Sequence, residues 1–461
     1  MFRVLCAVLV ATLAVSTAAP QRREVSFIVT GGTVVTVDAA DRVITSGALA
    51  VDGRDIVAVD TADAVAERFT ARETIDARGG VILPGLINTH THAPMVLYRG
   101  LADDLALMEW LQKYIFPAEA KTVSPPFVRA GTQLAALEMI QSGTTAYADM
   151  YYFEEEIARA TKEAGIRGVL GQTIIQFPVP DAKTPDAGIA RATAFIREWK
   201  SDELIVPAIA PHSMYTLDAK TLKAIRSIAD AERAPVIIHL AETTDEVNTA
   251  RTKYKTTPTQ FLESIGFWGE RTLAAHGVHL TPADIQILAK RRVGVSHNPE
   301  SNMKLASGTA PVIALQRAGV HVGLGTDGAA SNNDLDMFEA MRQAAFLHKL
   351  KTNDPRALPA KLAIRMATIE GARIIGLDRE IGSLEAGKRA DLLIVGMRSA
   401  RQTPMYDPLS HLVYVTRGDD VQTMMVNGKI VMRDRKVLTL NEKAVLDEAA
   451  TWAAKVRQAV Q

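Results

Sequence analysis

The sequence predicts an α/β chain: a (β/α)8, TIM-like barrel carrying a small β-sandwich domain built from both chain ends. Three observations point there. Eight short apolar runs alternate with helical stretches through the middle of the chain, turn-punctuated β-type alternation occupies both flanks, and histidines and acids recur where the apolar runs end. Strands alternating with helices imply a parallel sheet, and eight such units suffice to close it into a barrel.

The first 19 residues stand apart. Arg3 is their only charged side chain, residues 4–15 form an apolar run, and Ser16-Thr17-Ala18-Ala19 offers small residues for cleavage. This reads as a secretory signal peptide, too short to span a bilayer. It predicts an exported protein, periplasmic or secreted, with no stable membrane span after cleavage. Cys6, the one cysteine, lies inside this segment, so the mature chain has no disulfide, no thiolate ligand and no thiol nucleophile.

Residues 24–80 give the first part of the sandwich. Val34, Val35 and Val37, then Ala48 and Val51, then Ile56, Val57 and Val59 are separated by turn signals at Gly31-Gly32, Asp38 to Asp41 and Asp52-Gly53. Residues 381–440 give the second part, with a strand at 390–395 and a hairpin of 421–426 and 429–432 about the favoured turn pair Asn427-Gly428. Neither part is large enough to bury a core alone, so the two ends are expected to meet. Residues 441–461 have helical spacing and are expected to pack across this domain.

Residues 81–380 form the predicted barrel, with strands at 81–88, 144–149, 168–175, 205–211, 236–240, 272–276, 293–297 and 322–327. Helices are predicted at 127–141, 154–164, 187–199, 219–231 and 282–290. Charge is balanced, 52 basic against 52 acidic residues, and no basic stripe appears. That excludes the electrostatic footprint of a nucleic-acid partner.

His90 and His92 are separated by one residue at the end of the first run, and side chains at i and i+2 of a strand share a face. Further along, Asp149, His212, His239, His276, His297 and Asp327 occupy other strand ends, the rim where barrels of this type build their sites. One histidine at a strand end is more often a packed core residue; five on consecutive strands is not that pattern. Three imidazoles and a carboxylate, from His90, His92, His239 and Asp327, suit zinc, and also iron or manganese. Such a set leaves a position for water, whose pKa a metal lowers to roughly 7. Glu242, three residues past His239, is placed to move a proton, and His276 to hydrogen-bond the water.

These residues lie in Pro84-Gly85-Leu86-Ile87-Asn88-Thr89-His90-Thr91-His92, Ile238-His239-Leu240-Ala241-Glu242-Thr243, Ala275-His276, Ser296-His297-Asn298-Pro299-Glu300-Ser301-Asn302 and Gly325-Thr326-Asp327-Gly328-Ala329-Ala330-Ser331-Asn332-Asn333. With these motifs the chain resembles the amidohydrolase superfamily, in its branch of methylthioadenosine/S-adenosylhomocysteine deaminases and related aminohydrolases. The resemblance runs from about residue 30 to 434. It implies one divalent metal on His90, His92, His239 and Asp327, proton transfer by Glu242 and Asp327, and orientation of the attacking water by His276. Two-metal members carry a lysine on the fourth strand, whereas this chain reads Val206-Pro-Ala-Ile-Ala-Pro211-His212, so one ion is expected. The cysteine-ligated zinc deaminase type is excluded with the cysteines.

For substrate, the resemblance assigns Glu119 to ribose hydroxyls and His212 to a further contact, with Glu242 at the ring and Trp110 as a wall for a flat heterocycle. Relatives that act on S-adenosylhomocysteine place arginines in and after the third strand. Here that stretch is Gly171-Gln-Thr-Ile-Ile-Gln-Phe-Pro178, without an arginine, and the first arginine after it is Arg191. His279, His297, His321, His348 and His411 are read as structural. The expected activity is metal-dependent hydrolytic deamination of an amino-substituted aromatic N-heterocycle of the adenosine type, releasing ammonia from a small-molecule substrate. The alternative is removal of chloride or alkylamine from triazine rings by the same site. A homo-oligomer is compatible with the sequence.

Overall fold

The computed structural model describes residues 22–460. The proposed signal peptide and Cys6 lie outside them. Two sheets organise the chain. The first draws strands from both ends: β1 (Arg23–Val35), β2 (Val43–Asp52), β3 (Asp55–Thr61), β4 (Phe69–Asp76) and β5 (Val81–Pro84). The second is the parallel barrel of β6 (Leu86–Thr91), β7 (Thr144–Tyr151), β8 (Arg167–Ile174), β9 (Ile205–Pro211), β10 (Val236–Leu240), β11 (Thr272–His276), β12 (Gly294–His297) and β13 (Val322–Leu324). The chain then returns to the first sheet with β14 (Leu392–Val395), β15 (Val421–Val426), β16 (Lys429–Arg433) and β17 (Lys436–Val437).

The sandwich expected from the two ends is realised as one nine-stranded sheet forked at β1, which pairs with β2, β4 and β5. Its core follows the pleat, since residues of opposite parity face opposite sides. Leu49 and Val51 of β2 join Val29, Val34 and Ile56 on one face, while Ala48 and Ala50 pack with Val25 and Val65 on the other. Val65 belongs to the helix Ala62–Arg68, which with β4 went unpredicted. That segment is short and rich in charge, so it carries little periodic signal.

The run 81–88, expected as one barrel strand, is divided. Residues 81–84 pair with β14 and β1 in the first sheet, and the barrel begins at Leu86. The division falls at Gly85, where a Cβ would meet Thr145 Oγ1 at 2.0 Å. The expected eighth strand also stops early, at Leu324. A Cβ at Gly325 would strike Asn298 Oδ1 and Ser296 Oγ at 2.6 Å, and the backbone turns away there, so Asp327 sits in the loop beyond the strand. The barrel is drawn closed by Asp327 N donating to His90 O at 2.9 Å and Thr89 Oγ1 to Leu324 O at 2.8 Å.

The terminal helix Glu442–Val460 does not cross the two-ended sheet as expected. It buries Val445, Trp452 and Val456 on barrel helices, with Trp452 edge-on to Phe127 at 5.4 Å, because the apolar partner for an indole is there. Among the described residues no helix is long and apolar enough to cross a membrane.

Candidate active site

The C-terminal rim of the barrel holds a cleft of about 650 Å³, its open mouth included. The connection from β6 to β7 roofs it with the helix Leu107–Trp110, a π-helical turn at Leu111–Ile115 and the helix Phe116–Thr122. Trp110, Glu119, His212, His239, Glu242, His276, Asp327 and His92 all line it. His90 lies directly beneath, fully buried. Residues spread over more than 230 positions of sequence thus meet in one place. Asp149 stands behind the cleft, accepting from Thr91 Oγ1 at 2.7 Å and Ala93 N at 2.6 Å, and so fixes the backbone on either side of His92. His297 turns to His348, Nε2 to Nε2 at 3.3 Å, outside the cleft lining.

The imidazoles are oriented by groups whose chemistry leaves one choice. His92 Nδ1 lies 2.6 Å from Met150 O, and His239 Nδ1 lies 2.8 Å from His212 O. A carbonyl oxygen only accepts, so in both rings the Nδ1 carries the proton and Nε2 offers a lone pair. Those two Nε2 atoms face each other at 3.3 Å, a repulsive arrangement unless a cation lies between them. Asp327 Oδ1 is 3.5 Å from His90 Nε2 and 3.4 Å from His92 Nε2. Both ring nitrogens of His90 are buried without a hydrogen-bond partner, a cost that a bound ion would remove. His90 joins His92 and Asp327 in one ligand-spaced group and His239 and His276 in another. The donor set is that of a divalent-metal site.

Burial pushes His90 down to about 4 and His212 to about 3, and takes His239 well below the usual imidazole range. Neutral imidazole is the form that ligates a metal. Burial alone would raise Asp327, but the facing imidazole of His90, with those of His276 and His92 around it, holds it well below the ordinary carboxylate range.

Glu242 faces His276, with Oε2 3.8 Å from Nε2. Burial raises the Glu242 carboxyl, more than offsetting the pull of His276. Burial would lower His276, but the carboxylates of Glu242 and Asp327 and the contact to Asn302 raise it overall. His276 and Asp327 both have left-handed backbone, at φ 74° and 64°, conformations that cost non-glycine residues energy and cluster at functional sites.

Several supporting residues escaped the sequence reading. Glu246 accepts from the backbone N of Ala241 and of Glu242 at 2.9 and 3.0 Å, which sets the loop that carries Glu242. Its sequence signal was a capping pattern, Thr243-x-x-Glu246, and Thr243 does cap the following helix. Ser301 Oγ donates to Asp327 Oδ2 at 2.7 Å, and Asn302 Oδ1 lies 3.0 Å from His276 Nδ1. Both sit in the 296–302 motif, whose part in the site could not be read without coordinates. Tyr151 OH donates to Glu119 Oε1 at 2.6 Å, and burial raises the Glu119 carboxyl to about 7 against that bond.

Residues 81–431 match the model of the amidohydrolase family. The chain is 44% identical over 437 residues to 5-methylthioadenosine/S-adenosylhomocysteine deaminase 1 of Syntrophus aciditrophicus, covering 95% of this chain and 99% of that one. It is 44% identical to the 5′-deoxyadenosine deaminase of Methanococcoides burtonii, with 93% and 97% covered. Among solved structures, an adenosine deaminase from Xanthomonas campestris with bound zinc superposes with a TM-score of 0.93 at 39% identity, covering 95% of this chain and all of that one. On the fold, the His/His/Asp cluster and these likenesses, the chain belongs to the amidohydrolase family, in the lineage that holds the 5-methylthioadenosine/S-adenosylhomocysteine deaminases.

Proposed function

We propose that this protein is a metal-dependent hydrolytic deaminase of adenosine-type nucleosides, releasing ammonia. The observation that carries the reading is the convergence, in one buried cleft, of the ligand-spaced cluster with the Glu242–His276 pair. His90, His92, His239 and Asp327 would hold one ion, zinc by the donor set, and β9 supplies no lysine to bridge a second. Such an ion supplies a water acidic enough to attack at neutral pH.

Glu242, raised by burial and therefore able to carry a proton, delivers it to the ring nitrogen next to the carbon that bears the amine. His276, held by Asn302 on one nitrogen, turns the other toward Glu242 and the reacting centre. Asp327, kept ionised, accepts a proton on the way to the departing ammonia. Trp110 walls the heterocycle, and Glu119 and His212 take the sugar and its surroundings.

The test is a screen of zinc-loaded protein against purines, nucleosides and chlorotriazines. Ammonia from adenosine-type nucleosides is expected. Chloride from the triazines without ammonia from nucleosides would replace this reading with the halide-removing one.

A further inference from the structure

We infer that the cleft selects nucleosides whose 5′ substituent is short and uncharged over those that carry an amino-acid tail. The inference rests on the deaminase reading above and names which members of that class are used.

Its first support is the charge of the lining. Among the described residues, the cleft is bordered by the carboxyl groups of Glu119, Glu242 and Asp327, and by no lysine or arginine. The second is that cations on the surrounding segments are already engaged. Arg99 donates to Glu138, Lys113 to Glu109 at 2.8 Å, and Lys304 to Asp103 and Asn333. Arg191 donates to Glu155 at 2.6 Å, lies 3.4 Å from Asp181 and rests over the ring of Phe153. The third is the apolar wall of Leu107, Leu111, Ile115 and Phe116, backed by Phe177, whose ring meets Phe116 edge-on at 5.6 Å.

The carboxylate of an amino-acid tail would lose water here and find no lysine or arginine to pair with, while Glu119, Glu242 and Asp327 are already committed to the sugar, the ring and the metal. A methyl or methylthio group loses nothing by the same move and gains contact with the wall. An unpaired charged partner in a binding site is worth about tenfold or more in discrimination.

The experiment measures ammonia release from 5′-deoxyadenosine, 5′-methylthioadenosine and S-adenosylhomocysteine with one zinc-loaded preparation. Expected is a kcat/KM for the first two at least about tenfold above the third, carried mainly by KM. A smaller difference overturns the inference while leaving the deaminase reading intact. Ammonia from none of the three would sink that reading, a distinguishable failure that takes the inference with it. A second arm uses Phe177→Arg, which sets a cation beside the wall at a position 42% exposed. It is expected to narrow the ratio by improving the tailed nucleoside. A ratio unmoved in this variant, with activity on 5′-deoxyadenosine retained, would mean that charge is not what the cleft reads.

Discussion

Arg167, the first residue of β8, donates from Nε at 2.7 Å and Nη2 at 3.2 Å to the two carboxylate oxygens of Asp391, just ahead of β14. The pair joins the barrel to the two-ended sheet. Its side chains are 4% and 2% exposed, and Glu203 O, Asn427 Oδ1 and Asn427 N take up remaining hydrogen-bonding capacity around it. Arg167→Met would strand a buried carboxylate and is expected to cost about 3–5 kcal/mol of stability. Adding Asp391→Leu should recover a large part of that loss, because the uncompensated charge rather than the missing bond dominates the cost. Urea unfolding of the single and double variants reads both numbers.

Metal content is the direct check on the imidazole cluster. His90→Ala is expected to lose bound zinc, as measured by elemental analysis, and ammonia release with it. A variant that kept full activity would end the proposed ligand set.

Two acids three and seven residues past His239 should separate chemistry from positioning. Glu242→Gln is expected to lower kcat by about a hundred- to ten-thousand-fold while keeping zinc, the range for loss of a proton-transfer group. Glu246→Ala releases the backbone that holds Glu242 and should cost up to about a hundredfold in kcat, the scale of a small misplacement. In the pH profile, Glu242→Gln removes a titrating group, whereas Glu246→Ala is expected to retain it.

The role proposed for Glu119 at the sugar makes nucleoside binding depend on pH. Its carboxyl is raised to about 7 in the free protein, and only the ionised form accepts from two sugar hydroxyls. Below pH 7 binding must first expel the proton, so affinity should fall by up to about tenfold for each unit of acidification, and level off above pH 7. Titrating the deaminated product nucleoside between pH 5 and 8, as a rough window around that value, avoids interference from catalysis. A Glu119→Gln protein is expected to bind more weakly at high pH with the slope gone.

Legibility in the sequence followed the strength of local signals. β9, β10 and β11 match their expected bounds because each is an apolar run closed by a turn or a polar residue. The helix Glu154–Ala164 does too, opened by three acids and ended by Gly165. The site residues were readable as histidines and acids at strand ends, since strand order in a barrel places those ends together. Positions fixed by tertiary contact were not readable. Nothing local marks that Val81 to Pro84 serve a different sheet from Leu86 to Thr91, or that the terminal helix finds Phe127. Likewise, His212 was read for its side chain, whereas its carbonyl oxygen also orients His239.

The passage through Gly85 has a consequence for how this stretch can change. Val81–Pro84 and Leu86–Thr91 belong to two sheets with one residue between them, and both registers are anchored, by β14 on one side and β7 on the other. There is no slack to absorb a change of length. An alanine inserted after Pro84 would shift one of the two strands by one residue, and a one-residue slip turns every side chain to the opposite face. If the barrel strand yields, His90 and His92 leave the site together; if the outer strand yields, Ile82 leaves its core. Insertion and deletion are closed to this stretch. A single inserted residue here should therefore abolish activity, as an assay of ammonia release by the insertion variant would show.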